Sequence, residues 1–172
     1  MKKLLMAFAV LCSASVLHAE SDYYAMVCAW APGQIPMTSS VQLNGVRLTL
    51  VYGDCLRLNG LDLAVGANRT RERFNGLGVA PVFNRANSAA GVQLGSANVV
   101  ENELSGLQVG AWNHSGHGYG AQLGIVNTAG YFAGLQLGLF NWADDLDGLQ
   151  LGLVNVIADQ KVCVFPFLNI GF

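Results

Sequence analysis

The chain is short of charge. Only 12% of its 172 residues are Asp, Glu, Lys or Arg, about half the ~25% of an ordinary soluble domain. Either much of its exterior meets something other than water, or its wet surface is made of Gly, Asn, Gln and Ser. Nine basic side chains face eleven acidic ones, and only Arg69, Arg71 and Arg73 cluster. A phosphate-binding surface needs a basic patch, so nucleic acid is excluded as a partner. Long apolar runs are also missing. Beyond the first twenty residues none approaches the ~20 that a transmembrane helix requires, which leaves a β structure as the only route into a bilayer. The three histidines and four cysteines match no metal template in their spacing, so neither a metal nor another cofactor is expected.

The N-terminus is what supplies an address. Lys2 and Lys3 precede an apolar stretch from Leu4 to Leu11, followed by small residues and Leu17-His18-Ala19. This is the pattern of a secretory signal peptide over residues 1–19, leaving residues 20–172 as one domain. Cys12 follows Ala9-Val10-Leu11, with a bulky leucine where a lipid-anchor site wants a small residue, so no lipidation is expected. Cleavage would leave seven basic against eleven acidic side chains. It would also leave Cys28, Cys55 and Cys163, of which one pair could bridge in an oxidising compartment; small buried apolar residues are the alternative.

What the sequence has in abundance is glycine, 21 residues, arranged in a repeat. A Gly-x-Gln-x-Gly-x-x-Asn unit recurs with Gly91, Gln93, Gly95 and Asn98; Gly106, Gln108, Gly110 and Asn113; Gly120, Gln122, Gly124 and Asn127; Gly134, Gln136, Gly138 and Asn141; and Gly148, Gln150, Gly152 and Asn155. Clear repeats fill residues 91–157, and degenerate ones beginning at Gly45, Gly60 and Gly76 fill 45–90. Side chains alternate within a unit, which is strand periodicity. Leu135, Leu137 and Leu139 share one parity, while Gly134, Gln136 and Gly138 share the other. Two glycines per strand fit a place where another backbone or a crowded interior excludes a side chain. The repeat asparagines read as turn entries, since Asn tolerates left-handed backbone and caps its own turn.

Three all-β architectures accommodate this pattern. In the first, an antiparallel meander of about ten short strands closes into a small β-barrel, with leucines facing lipid and glutamines facing the lumen. A strand near 23–31, eight repeat strands and a last strand at 162–172 give the even count of single-chain barrels, and closure satisfies every backbone group. Phe172 then ends the chain as the aromatic assembly signal of an outer-membrane strand, although Pro166 would cost that strand a ladder bond. In the second, a secreted or surface-attached β-solenoid of 14–15-residue repeats packs its leucines inward and stacks Gly, Gln and Asn outside as a binding face. The third folds the meander into a sandwich. Changing the interval from 15 to 14 demands a bulge or a new turn in a meander, whereas a solenoid simply loops the extra residue out. The barrel is the reading taken forward.

The units GVQLGSAN, GLQVGAWN, GAQLGIVN, GLQLGLFN and GLQLGLVN, with the ending FPFLNIGF, resemble a family of bacterial envelope proteins built from short surface repeats of this type. The likeness covers residues 91–172 well and 45–90 loosely. It implies an exported cell-envelope protein, and the family brings no catalytic residues to carry over.

Local chemistry adds little. Asn113-His114-Ser115 holds the residue types of an outer-membrane lipid hydrolase, but neighbours in one turn cannot form a relay that must converge from separate elements. His114 and His117 lack a third ligand. Gly116-His117-Gly118-Tyr119-Gly120 precedes a strand, so the helix terminus that would hold phosphate is missing. Asp144, Asp145 and Asp147 lack a closing glutamate for Ca²⁺, and residues 69–73 read as a charged hairpin tip. The sequence therefore points to an exported, non-enzymatic protein of the outer membrane or cell surface, with membrane lipid and the outer-membrane assembly machinery as its partners.

Overall fold

A computed structural model describes residues 18–19, 22–30, 33–35, 42–160 and 164–172. Most of the expected signal segment, Cys12, Val162 and Cys163 lie outside these. The strands are β1 (His18–Ala19), β2 (Asp22–Trp30), β3 (Gly33–Ile35), β4 (Gln42–Ala64), β5 (Ala67–Val79), β6 (Phe83–Leu94), β7 (Ala97–Leu137), β8 (Phe140–Ile157) and β9 (Val164–Gly171).

Pairing is parallel and in register from β2 through β8. Gly134 lies beside Gly148, Gln136 beside Gln150 and Asn127 beside Asn141. Each residue therefore sits on its counterpart one repeat later, which only a coil allows. The chain is a stack of about seven turns, a β-solenoid, and the antiparallel barrel is overturned, as is the sandwich. The assembly signal expected at Phe172 presupposed that barrel; its ring is fully exposed after β9.

The solenoid expectation is corrected in turn. The leucines of the repeat point out, and Gln108, Gln122, Gln136 and Gln150 are fully buried, as are Asn98, Asn113, Asn127 and Asn155. The reason is perimeter. A coil of 14 residues encloses little volume, and the space inside is filled by one Gln, one Asn, a small residue such as Ala129 or Ala143, and one large apolar residue such as Phe132 or Leu146. Three leucines more per turn would not fit.

Glycine makes the coil possible at two places per turn. The leading glycine turns the corner with φ from +122° to +151° between Gly60 and Gly148, a region that side chains disfavour. A Cβ on Gly134 would collide with the carbonyl oxygen of Gly120 in the coil beneath. The second glycine leaves room for the amides: a Cβ on Gly138 would lie 2.6 Å from Asn127 Nδ2 and 3.0 Å from Asn141 Oδ1.

Longer repeats are absorbed at a corner. Register slips between Cys55 and Arg57, between Thr70 and Arg73, and between Ala86 and Ala89, while β7 and β8 pair with no slip. The last coil is closed by β9, which runs antiparallel to β8 with Leu149 opposite Ile170 and Leu151 opposite Leu168. Phe167, at φ +67°, lies opposite Gly152 where that pairing slips.

Candidate functional site: an aliphatic outer face on amide ladders

Inside the coil the repeated amides bond to their own copies. Gln108 Nε2 donates to Gln93 Oε1 at 3.0 Å, Gln122 to Gln108 at 2.9 Å, Gln136 to Gln122 at 2.8 Å and Gln150 to Gln136 at 2.8 Å. The asparagine ladder runs the other way. Asn84 Nδ2 donates to Asn98 Oδ1 at 2.9 Å, and the chain of bonds continues through Asn113, Asn127 and Asn141 to Asn155. Each Asn also donates across the corner, as Asn127 does to the carbonyl of Leu137 at 3.0 Å. The asparagines thus hold the bend from within, as core groups rather than exposed turn residues. Buried amides are costly unless satisfied, and stacking in register satisfies them.

Toward the N-terminus the glutamine column changes character. Its positions are taken by Arg47, Asp62 and Gly78. Arg47 is fully buried; its Nε donates to Asp62 Oδ1 at 2.8 Å, and its Nη1 reaches Cys55 Sγ at 3.1 Å and the Arg69 carbonyl at 3.2 Å. Burial pulls the Arg47 pKa down, but the hydrogen bond and the charge of Asp62 outweigh it and raise the net value. Beside Gly78 a cavity of about 10 Å³ is lined by Asp62, Asn68, Phe74 and Gln93, among others.

With amides inside, the outer surface of the first side of each coil is aliphatic. At one, three and five residues after the leading glycine, the eight coils from Gly45 to Gly148 place 24 side chains, of which Ser96 alone is polar. All are half-buried or exposed; Leu139 is 46% and Leu153 55% exposed. Leu168 and Ile170 of β9 carry two of the columns one row further. Backbone bonds between coils run on through the corner, Leu139 N to Ile125 O and Val154 N to Leu139 O both at 2.9 Å. Trp112, Phe140 and Trp142 stand exposed beyond the corner.

Charge lies elsewhere around the coil. Arg57 pairs with Glu72, Arg71 with Asp54 and Arg85 with Glu101 at 2.5–2.7 Å; residues 69–73 lie inside the parallel-paired β5 and are not a hairpin tip. Exposed Asn75, Asn59 and Asn44 form a short outer ladder at 2.6–2.7 Å, next to an open polar hollow of about 580 Å³ lined by Arg57, Glu72 and Arg73.

The residues singled out for chemistry do not converge. Asn113 and Ser115 are buried, while His114, between them, points outward. The Ser115 hydroxyl accepts from Gln122 Nε2 at 3.3 Å, and His114 Nδ1 bonds Thr128 Oγ1 at 3.0 Å. His117 packs near the ring of Tyr131, and Asp144 accepts from Trp142 Nε1 at 3.1 Å. Among the described residues no three His, Cys, Asp or Glu side chains stand close enough to hold a metal ion, and no helix is long and apolar enough to cross a membrane. Cys28 and Cys55 are buried in the interior, where Cys28 Sγ donates to the Tyr52 carbonyl at 3.0 Å. The outward leucine face was expected on a barrel from the parity of the leucines; the structure carries it on a coil.

No family model, no curated protein and no solved structure matches this chain.

Proposed function

We propose that the chain is an exported envelope protein acting as a rigid binding scaffold without catalysis, and that its working surface is the aliphatic face. The observation that carries this is the face itself: 24 outward positions with one polar side chain, in a protein whose interior spends its polar groups on itself. Apolar patches of more than a few hundred Å² on a soluble surface mark contact sites. The signal-like N-terminus and the repeat resemblance support export and the envelope address. The binding face read earlier as Gly, Gln and Asn becomes the leucine face, because the amides are consumed in the core.

Fractionation of cells producing the protein tests this. The expected result is recovery with the envelope and digestion by protease added after the outer membrane is opened. Replacing Leu137 and Leu151 by Glu is expected to release the protein into the soluble fraction with its β circular dichroism intact. Recovery in the cytoplasm, or envelope retention unaffected by the pair, defeats the reading.

A further inference from the structure

We infer that the aliphatic face is an interface with a second copy of this chain, the two solenoids packed face to face. The inference rests on the reading of that face as the working surface and names its partner.

Dimension is the first argument. Nine rows spaced ~4.8 Å and about five residues of ~3.3 Å along each row give a patch of roughly 40 by 17 Å. Two such faces bury about 1,400 Å², within the range of a standard stable interface.

The second argument is periodicity. Columns of near-identical side chains, Leu123, Leu137 and Leu151 next to Leu135 and Leu149, leave parallel grooves between them. A partner that fills such grooves over the whole face needs the same row spacing, which means an in-register sheet, and identical columns interdigitate in this way in dry sheet-to-sheet contacts. Another copy of this chain carries that lattice. A two-fold axis lying in the plane of the interface turns one face onto the other, brings column against column and makes the contact closed and self-complementary.

Charge decides against lipid as the occupant. Surface-bound amphipathic elements recruit anionic membranes through Lys and Arg at their flanks. Here four of the six arginines, Arg47, Arg57, Arg71 and Arg85, are committed to ion pairs, and the whole chain carries net negative charge. Those charges lie on other sides of the coil, so they do not oppose two aliphatic faces meeting.

Sedimentation velocity of the purified full chain at micromolar concentration, without detergent, tests the inference. The unmodified protein should run as a dimer. Leu137→Glu with Leu151→Glu should run as a monomer with unchanged β circular dichroism, whereas His117→Glu with Tyr119→Glu, exposed outside the aliphatic face, should remain dimeric. A monomer from the unmodified protein overturns the inference whatever the variants do, and so does dimerisation that survives the leucine pair in a folded variant. Flotation of a monomer with neutral phosphatidylcholine vesicles would assign the face to lipid instead. If the unmodified protein is monomeric while the leucine pair still releases it from the envelope, the binding face stands and only its partner changes; if the pair alters neither, both readings fall.

Discussion

The five coils from Gly91 to Asn155 and the three from Gly45 to Ala90 solve one packing problem in two ways. The later coils repeat a single answer. Each adds one Gln and one Asn to ladders whose bonds are 2.7–3.0 Å long, and β7 meets β8 without a slip. The earlier coils put Arg47, Asp62 and Gly78 where the glutamines belong, slip once between β4 and β5 and once between β5 and β6, and leave the amide of Asn68 and the hydroxyl of Thr49 without partners although both are buried. Among the described residues the other such atoms are Gln150 Oε1 in the last coil and Asn169 Nδ2 in the capping strand β9. An amide can serve as donor and acceptor to its own copy, so a Gln or Asn column extends without limit. A salt bridge pairs once and stops.

In a solenoid each coil contacts only its neighbours, so stability is close to a sum of coil and interface contributions, and substitutions in the two regions can be compared directly. The largest contrast is expected where backbone presses on backbone. Gly120→Ala puts a Cβ against the Gly106 carbonyl at φ +126°, adding left-handed strain to a clash that the coil cannot relax. Together these cost about 3–6 kcal/mol. Thermal melting should show loss of most of the cooperative transition; a melting temperature within a few degrees of the parent would mean that the leading glycines are not required.

Next is the ion pair. Asp62→Ala leaves the Arg47 guanidinium buried with the Cys55 sulfur and one carbonyl as partners, a loss of about 3–5 kcal/mol for an uncompensated buried charge. Replacing both residues by Gln extends the ladder pattern into the early coils and should recover most of that loss in urea unfolding. If the double variant is no better than the single one, the ladder is not a transferable device.

Gln122→Ala interrupts the ladder at its middle. It strands the Gln108 Oε1 and Gln136 Nε2 that Gln122 joins, at about 2–4 kcal/mol for two buried groups. A cost below about 1 kcal/mol in the same urea titration would show that the stacked amides relax onto neighbouring carbonyls.

The strand period, the glycine requirement and the alternation of faces were all legible in the repeat. The side taken by each face was legible only in part. The barrel expectation placed Leu135 and Leu137 outside and Gln136 inside, as found, but through the wrong topology; the solenoid expectation had the stacking and inverted the faces. Hydropathy ranks leucine for the interior, and what overrides it is a bond between copies of Gln136 that no single repeat displays. The near-constant interval was the available clue, because it means that like lies on like. Arg47 was legible by counting two residues on from Gly45 into the glutamine column, and was missed because the degenerate coils were read as loose copies.

The thiols give a smaller effect. Burial raises the pKa of Cys28 and Cys55 above the ordinary 9.0, with the nearby Arg47 charge pulling the other way. A folded-state pKa above the unfolded value means that the contribution is fully present below pH ~9 and is lost as pH rises, when the unfolded chain ionises first. The urea midpoint should therefore fall between pH 8 and 10 more steeply in the parent than in Cys55→Ala; equal slopes would place the titration elsewhere.

The smallest effect is expected at Gly78, and it isolates what the early coils lack. Its φ is ordinary, and a Cβ there would meet Phe74 Cζ at 3.1 Å and Asn84 Oδ1 at 3.6 Å, contacts with side chains that can give way. Gly78→Ala also occupies part of the cavity beside Asn68 and reduces the freedom of the unfolded chain, a gain of about 0.4–1 kcal/mol where the backbone permits it. The two terms nearly cancel, so the melting temperature should move by no more than a few degrees. Gly78→Ala and Gly120→Ala make the same chemical change at two glycines of one solenoid. Comparable losses from both would mean that the early coils are as tightly specified as the late ones and that the contrast between them is one of sequence only.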